Sequence, residues 1–186
     1  MSDVTVVLES ISRGERRATE ELFPLVYEEL RRLAAARMAG ESAGHTLQPT
    51  ALVHEAWLQL VGDGHQSWEN RRHFFGAAAE AMRQILIQNA RRKSVLKRGG
   101  GQVRVPLEDL EITAATPDEY VLLIHEALEW LEGEDPETAR IVLLKFFGGL
   151  TNEEVANSLG TSLRTINRQW FYAKLKLFRW IQAQNS

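Results

Sequence analysis

Arg164, Asn167 and Arg168 stand three and four residues apart, in a stretch whose apolar residues recur at helical spacing. That puts all three on one face, with Phe171 one turn further on. Arginine forks onto the guanine edge and asparagine onto the adenine edge, so these side chains suit direct reading of base pairs. The surrounding charge agrees, because five basic residues and no acidic one follow Glu154. A second basic run, Arg83, Arg91, Arg92, Lys93, Lys97 and Arg98, is also free of acids, whereas Val105–Ala139 holds eleven acidic residues and no Lys or Arg. Two basic patches separated by an acidic stretch suggest two surfaces for a polyanion, although the net charge of the whole chain is only -3.

Catalytic chemistry finds little support. His54-Glu55-Ala56-Trp57-Leu58 begins like a zinc-protease helix, but Leu58 stands where the second histidine ligand must be. The five histidines lack ligand spacing, and the absence of cysteine removes thiol catalysis, thiolate metal sites and disulfides. There is no glycine-rich phosphate loop, and no enzyme activity or cofactor is expected. No apolar run approaches the ~18 residues of a membrane span, and the N-terminus lacks a signal-peptide pattern. A cytoplasmic location is therefore expected.

The elements that position the basic faces read as all-α. Thr151-Asn152-Glu153-Glu154 is a capping box, and Gly160 suits a left-handed turn residue. Ser162 then caps a second helix. This is helix-turn-helix spacing, with Val155, Leu159, Ile166, Trp170, Ala173 and Leu177 as a shared apolar stripe and Ala156 small at the crossing. Upstream, Thr116-Pro117-Asp118-Glu119 and Asp135-Pro136-Glu137 each start a helix.

In the N-terminal half the spacing predicts a short helix over Val4–Ser12 and a longer one over Thr19–Met38, with Pro24 marking a break or late start. Pro49 opens a third, with Leu52, Ala56 and Leu60 inward, ended by Gly62 and Gly64. The fourth runs from about Arg71 to Val95, with Phe74, Ala78, Ala81 and Ile85 as its inward stripe. Three glycines, a proline and no helical periodicity over 99–115 mark a flexible linker, and no strand-length alternation stands out. Two small helical domains, 1–98 and 116–186, are the expected architecture.

Residues 151–178 resemble the −35-reading domain of the sigma-70 family of RNA polymerase initiation factors, in its extracytoplasmic-function (ECF) group. Leu52-Val53-His54-Glu55-Ala56-Trp57-Leu58-Gln59-Leu60 resembles the helix that grips the polymerase clamp, and residues 71–101 resemble the helix that reads and melts the −10 element. The matches lie in the family's order and cover nearly the whole chain. The resemblance implies −35 contacts by Arg164, Thr165, Asn167, Arg168, Phe171 and Lys174, with Thr165 and Lys174 on phosphates. It implies capture of unstacked −10 bases by Trp68, Asn70, Arg71, Arg83, Gln84, Gln88 and Arg91, since aromatic and cationic groups hold single strands. Trp68 reads equally well as a cover for the core. Leu52, Val53, Glu55 and Trp57 are the implied polymerase contacts. The partners implied are promoter DNA and core RNA polymerase, through its beta' clamp and beta flap, with an anti-sigma factor or a Ser/Thr kinase as regulator. Glu108, Asp109 and Glu111 would lie along a basic channel of the enzyme.

One departure stands out. Where the family carries an acidic Asp-Ala-Glu-Asp motif, this chain has Gln48-Pro49-Thr50-Ala51. Phosphorylation of Thr50, or of Thr46, would restore negative charge at a helix start. An ordinary first-turn threonine is the plain alternative. The rival function is a stand-alone helix-turn-helix regulator, which would bind duplex DNA unaided, usually as a dimer on a palindrome.

Overall fold

A computed structural model describes residues 3–38, 47–62, 68–96, 103–107, 110–114 and 117–184. The fold is all-α in its body. Helices α1 (Asp3–Ser12), α2 (Arg16–Met38), α3 (Pro49–Val61) and α4 (Arg71–Leu96) form the N-terminal half. Helices α5 (Pro117–Glu134), α6 (Pro136–Val142), α7 (Asn152–Leu159) and α8 (Leu163–Gln184) form the C-terminal half, and α6 runs on into a wider π turn over Leu143–Phe147.

Local chemistry sets most boundaries. Pro49 occupies the first position of α3 and Pro136 that of α6, where a missing N–H costs nothing. Asp135 caps α6 by accepting from the Thr138 N–H. Helix α2 differs from the sequence expectation: it starts at Arg16 and passes through Pro24 without ending. Leu22 and Val26 are both fully buried, and their packing offsets the hydrogen bond that proline removes.

The segment between the halves also departs from expectation. It holds an antiparallel hairpin of β1 (Val103–Leu107) and β2 (Leu110–Ala114), in register from Val103↔Ala114 to Leu107↔Leu110. Strand β2 runs beside α5 and α8. Leu110-Glu-Ile-Thr-Ala does alternate, and Val103-Arg-Val does so too, at the period of two that a strand needs. Glu108 and Asp109 lie outside the described residues.

The largest departure is in how the halves meet. Their buried residues form one contiguous core. Helix α4 is its axis, packed on α3 in its own half and on α5 and the π turn of the other. Phe74, Ala78, Ala81 and Ile85 are buried as the periodicity implies, but so are Ala79, Met82, Arg83, Leu86, Ile87 and Ala90.

Candidate nucleic-acid interface

The C-terminal unit carries the more open surface. The Thr151 hydroxyl accepts from the Glu154 N–H, and the Glu154 carboxylate accepts from the Thr151 N–H at 2.8 Å, closing the capping box. Burial pushes the Glu154 carboxyl up, but hydrogen bonds from Thr151 and from Arg32 of α2 outweigh it and leave it below its ordinary value. Gly160 sits at φ 63°, ψ 34°, the left-handed turn that ends α7. The Ser162 hydroxyl accepts from the Thr165 N–H at 3.1 Å and starts α8. Val155, Ile166, Trp170, Ala173 and Leu177 are buried together and fix α8 across α7.

With that side inward, Arg164, Asn167, Arg168 and Phe171 are all exposed. They stand at the N-terminal end of α8, where unpaired backbone N–H groups add to the positive field. Asn167 is braced from α7, its side-chain oxygen accepting from the Asn152 amide at 2.7 Å. Thr165 is half-buried and shares a 2.8 Å hydrogen bond with the Ser162 hydroxyl, so it belongs to the turn as much as to the face. Lys174 leans over the Trp170 ring, with its ammonium 6.0 Å from the centroid. Lys176 is held by Asp135 at 2.7 Å, which with Thr138 draws the Asp135 carboxyl below its ordinary value. Sequence reasoning missed the apolar part of this helix: Leu163, Tyr172 and Leu175 are exposed beside Phe171.

The −10 candidates divide into two groups. Gln84, Gln88 and Arg91 are exposed at positions i, i+4 and i+7, which form one stripe. The others are engaged elsewhere. Trp68 is buried, edge-on to Phe74 with centroids 5.2 Å apart, which is the core-cover reading. The Asn70 side chain caps α4, accepting from the His73 N–H at 2.9 Å. Arg71 bonds both Glu29 oxygens at 2.6 Å and lies over Phe75.

Arg83 points into the interface between the halves and is 5% exposed. It donates to Glu132 of α5 at 2.7 Å and to Glu80 at 3.3 Å. Two of its nitrogens also approach His125 Nδ1, at 3.2 and 3.0 Å. Nδ1 therefore accepts, and the ring proton sits on Nε2. Burial and the neighbouring Arg83 charge both pull the His125 pKa below its ordinary value.

On α3, Leu52 and Val53 are fully buried and Trp57 is half-buried, its ring tilted against Phe23 with centroids 4.7 Å apart. Glu55 is exposed, as are His54 and Thr50, and Leu58 is 66% exposed. The helical period that sends Leu52, Ala56 and Leu60 inward leaves Leu58 on the outer side. Thr50 lies in the first turn of α3; Thr46 is outside the described residues.

Among the described residues no cluster of His, Asp and Glu could hold a metal ion, and no helix is long and apolar enough to cross a membrane. A family model described as ECF sigma factor matches residues 1–183 of the 186. No curated protein and no solved structure matches the chain.

Proposed function

The chain belongs to the ECF sigma factor family, a family of RNA polymerase sigma factors for transcription initiation, and from that premise we propose that it binds core polymerase and reads both promoter elements. The observation that carries the reading is the acid-free outer face of α8, where Arg164, Asn167 and Arg168 are exposed at the N-terminal end of a capped helix-turn-helix. That end is the part of such a motif that enters the major groove. Lys174 and Thr165 would contact phosphates, and Phe171 would pack against sugar or a thymine methyl.

Functionally, residues 1–98 would serve clamp binding and −10 melting, 99–115 would connect, and 116–186 would serve −35 recognition. The −10 surface would centre on Gln84, Gln88 and Arg91, reached from the α4 start by Asn70 and Arg71. Trp68 and Arg83 would join it only after rearrangement. Polymerase would meet the outer face of α3, Glu55 and half-buried Trp57, with Leu52 and Val53 supporting that face from beneath. The beta flap would meet the C-terminal half.

Runoff transcription on genomic templates with core polymerase tests this directly. A promoter-dependent transcript that requires this protein is expected. Specific duplex binding without polymerase, and no transcript, would instead establish a stand-alone regulator.

Regulation by a Ser/Thr kinase would act at Thr50, whose phosphate would place about -1.5 to -2 charge at the start of α3. Affinity for core polymerase should rise on phosphorylation and, less so, in Thr50→Glu. Tight binding by unmodified protein, unchanged by phosphate, would rule the switch out and leave an anti-sigma factor as the regulator to seek.

A further inference from the structure

Asn152 and Asn167 meet across the turn between α7 and α8, and their orientation decides which atoms of Asn167 face outward. The capping box at Thr151 makes Asn152 the first residue of α7, and the buried Val155, Ile166 and Trp170 hold α7 against the start of α8. The Asn152 side chain is half-buried and donates through Nδ2 to Oδ1 of the exposed Asn167 at 2.7 Å. Its own Oδ1 is buried and accepts nothing among the described residues. That inner place suits an oxygen better than an amino group, because a buried acceptor left empty is tolerated more readily than a buried N–H. Asn152 therefore turns its nitrogen to Asn167, and Asn167 answers with its oxygen.

Asparagine matches adenine only when its two amide atoms lie side by side against the base, the oxygen accepting from N6 and the nitrogen donating to N7. An oxygen turned back to α7 breaks that match. What Asn167 shows outward is its amino group, which donates and cannot accept. The neighbouring Arg164 and Arg168 are exposed and likewise carry donors alone. Guanine is the base whose major-groove edge holds two acceptors, N7 and O6, and no donor. We propose that Asn152 is a positioning residue that determines specificity, holding Asn167 with its amino group outward so that this position reads guanine instead of adenine. The proposal rests on the reading of α8 as the −35 helix and names the base that one of its side chains takes.

The test is selection from a promoter library randomised through the −35 element, using holoenzyme assembled from core polymerase and the full chain. Asn167→Ala locates the position, as the one where discrimination is lost. There the unaltered protein should favour guanine over adenine by about fivefold or more. Asn152→Asp keeps the size of the side chain but offers oxygen where the nitrogen was, so Asn167 must turn its amino group inward and its oxygen out. Preference should then move to a base with an amino group, adenine or cytosine. An aspartate in the first turn also suits the helix dipole, so α7 should keep its start. Asn152→Ala frees Asn167 and should bring guanine and adenine within about twofold of each other. In an Asn167→Ala background neither change at 152 should alter base choice, which separates positioning from a merely structural role.

Adenine favoured by the unaltered protein, a preference indifferent to residue 152, or no position affected by Asn167→Ala would each overturn the brace. A position still lost with Arg164→Ala would in that case leave the −35 reading standing. If holoenzyme selects nothing, the initiation reading fails, and the same library offered as duplex to the chain alone decides the brace with the same variants. No selection there either would overturn both.

Discussion

Helices α4 and α8 carry similar chemistry in opposite settings. Both are long and dotted with arginine, lysine and glutamine, and only α4 carries a basic residue, Lys93, in its last turn. Helix α8 buries one stripe, Ile166, Trp170, Ala173, Leu177 and Ile181, with Phe178 and Trp180 half-buried beside it, and turns Arg164, Asn167, Arg168 and Phe171 to solvent. Helix α4 buries two sides and leaves Gln84, Gln88 and Arg91 as a narrow open strip. The difference is tertiary. A helix that packs along one side, as α8 does against α5, α6 and α7, shows its polar face, and a helix caught between two halves hides even an arginine when a carboxylate comes with the second partner.

The sharpest way to break that contrast is to remove the wedge between the halves. Phe147 is fully buried in the π turn against α4, and Phe147→Ala should cost ~3–5 kcal/mol of stability. Thermal or denaturant unfolding of the full chain would read it. A loss under about 1 kcal/mol, typical of surface positions, would mean the halves do not share a core in solution.

Arg164→Ala and Arg168→Ala probe the open helix. Each should weaken discrimination at one −35 position by ~1–3 kcal/mol if it binds a base bidentately. Lys174→Ala should weaken binding evenly across sequences and lower the salt dependence. Uniform losses for all three, in competition assays with promoter variants, would reduce α8 to a backbone binder.

The legibility of these two helices in the sequence follows the range of the interactions involved. The capping box at Thr151, the turn at Gly160 and the start at Pro136 depend on residues within a few positions, and each was readable. The all-α body and the order of the helices followed from apolar spacing. Pro24 misled because a local rule was overridden by the burial of Leu22 and Val26. The hairpin at 103–114 was missed because its alternation is short and lies among glycines and acids. The covered side of α4 could not be read at all: Ala79 and Arg83 look like a helix's outer face until Gly148 and Glu132, some fifty residues or more away in the chain, are set against them.

The smallest expected effect is set by pH, and it acts on α4 alone. His125 Nδ1 accepts from Arg83, so the ring must be neutral for the cluster to hold. The groups around it are Arg83 and Arg91 from α4 and Glu126 and Glu129 from its own helix. Burial and the arginines outweigh the glutamates and hold its pKa below the ordinary 6.5. The unfolded chain then binds a proton at His125 more readily than the folded one. The contribution is fully present above pH 6.5, and is lost as pH falls from there through the lowered folded value. Glu154 and Asp135 have lowered carboxyl pKa values, so their contributions disappear only in the more acidic carboxylate range. Mild acid should therefore loosen the contact on α4 before it touches the capped start of α7. Labelling at a buried Ala79→Cys thiol, normalised to an exposed Ala35→Cys reference on α2, should rise as pH drops below 6.5, and His125→Gln should flatten that rise by keeping a neutral acceptor near Arg83. A ratio that stays level down to the carboxylate range would assign the acid sensitivity to Glu154 and Asp135, and would place the weak point of the molecule on the helix-turn-helix side instead.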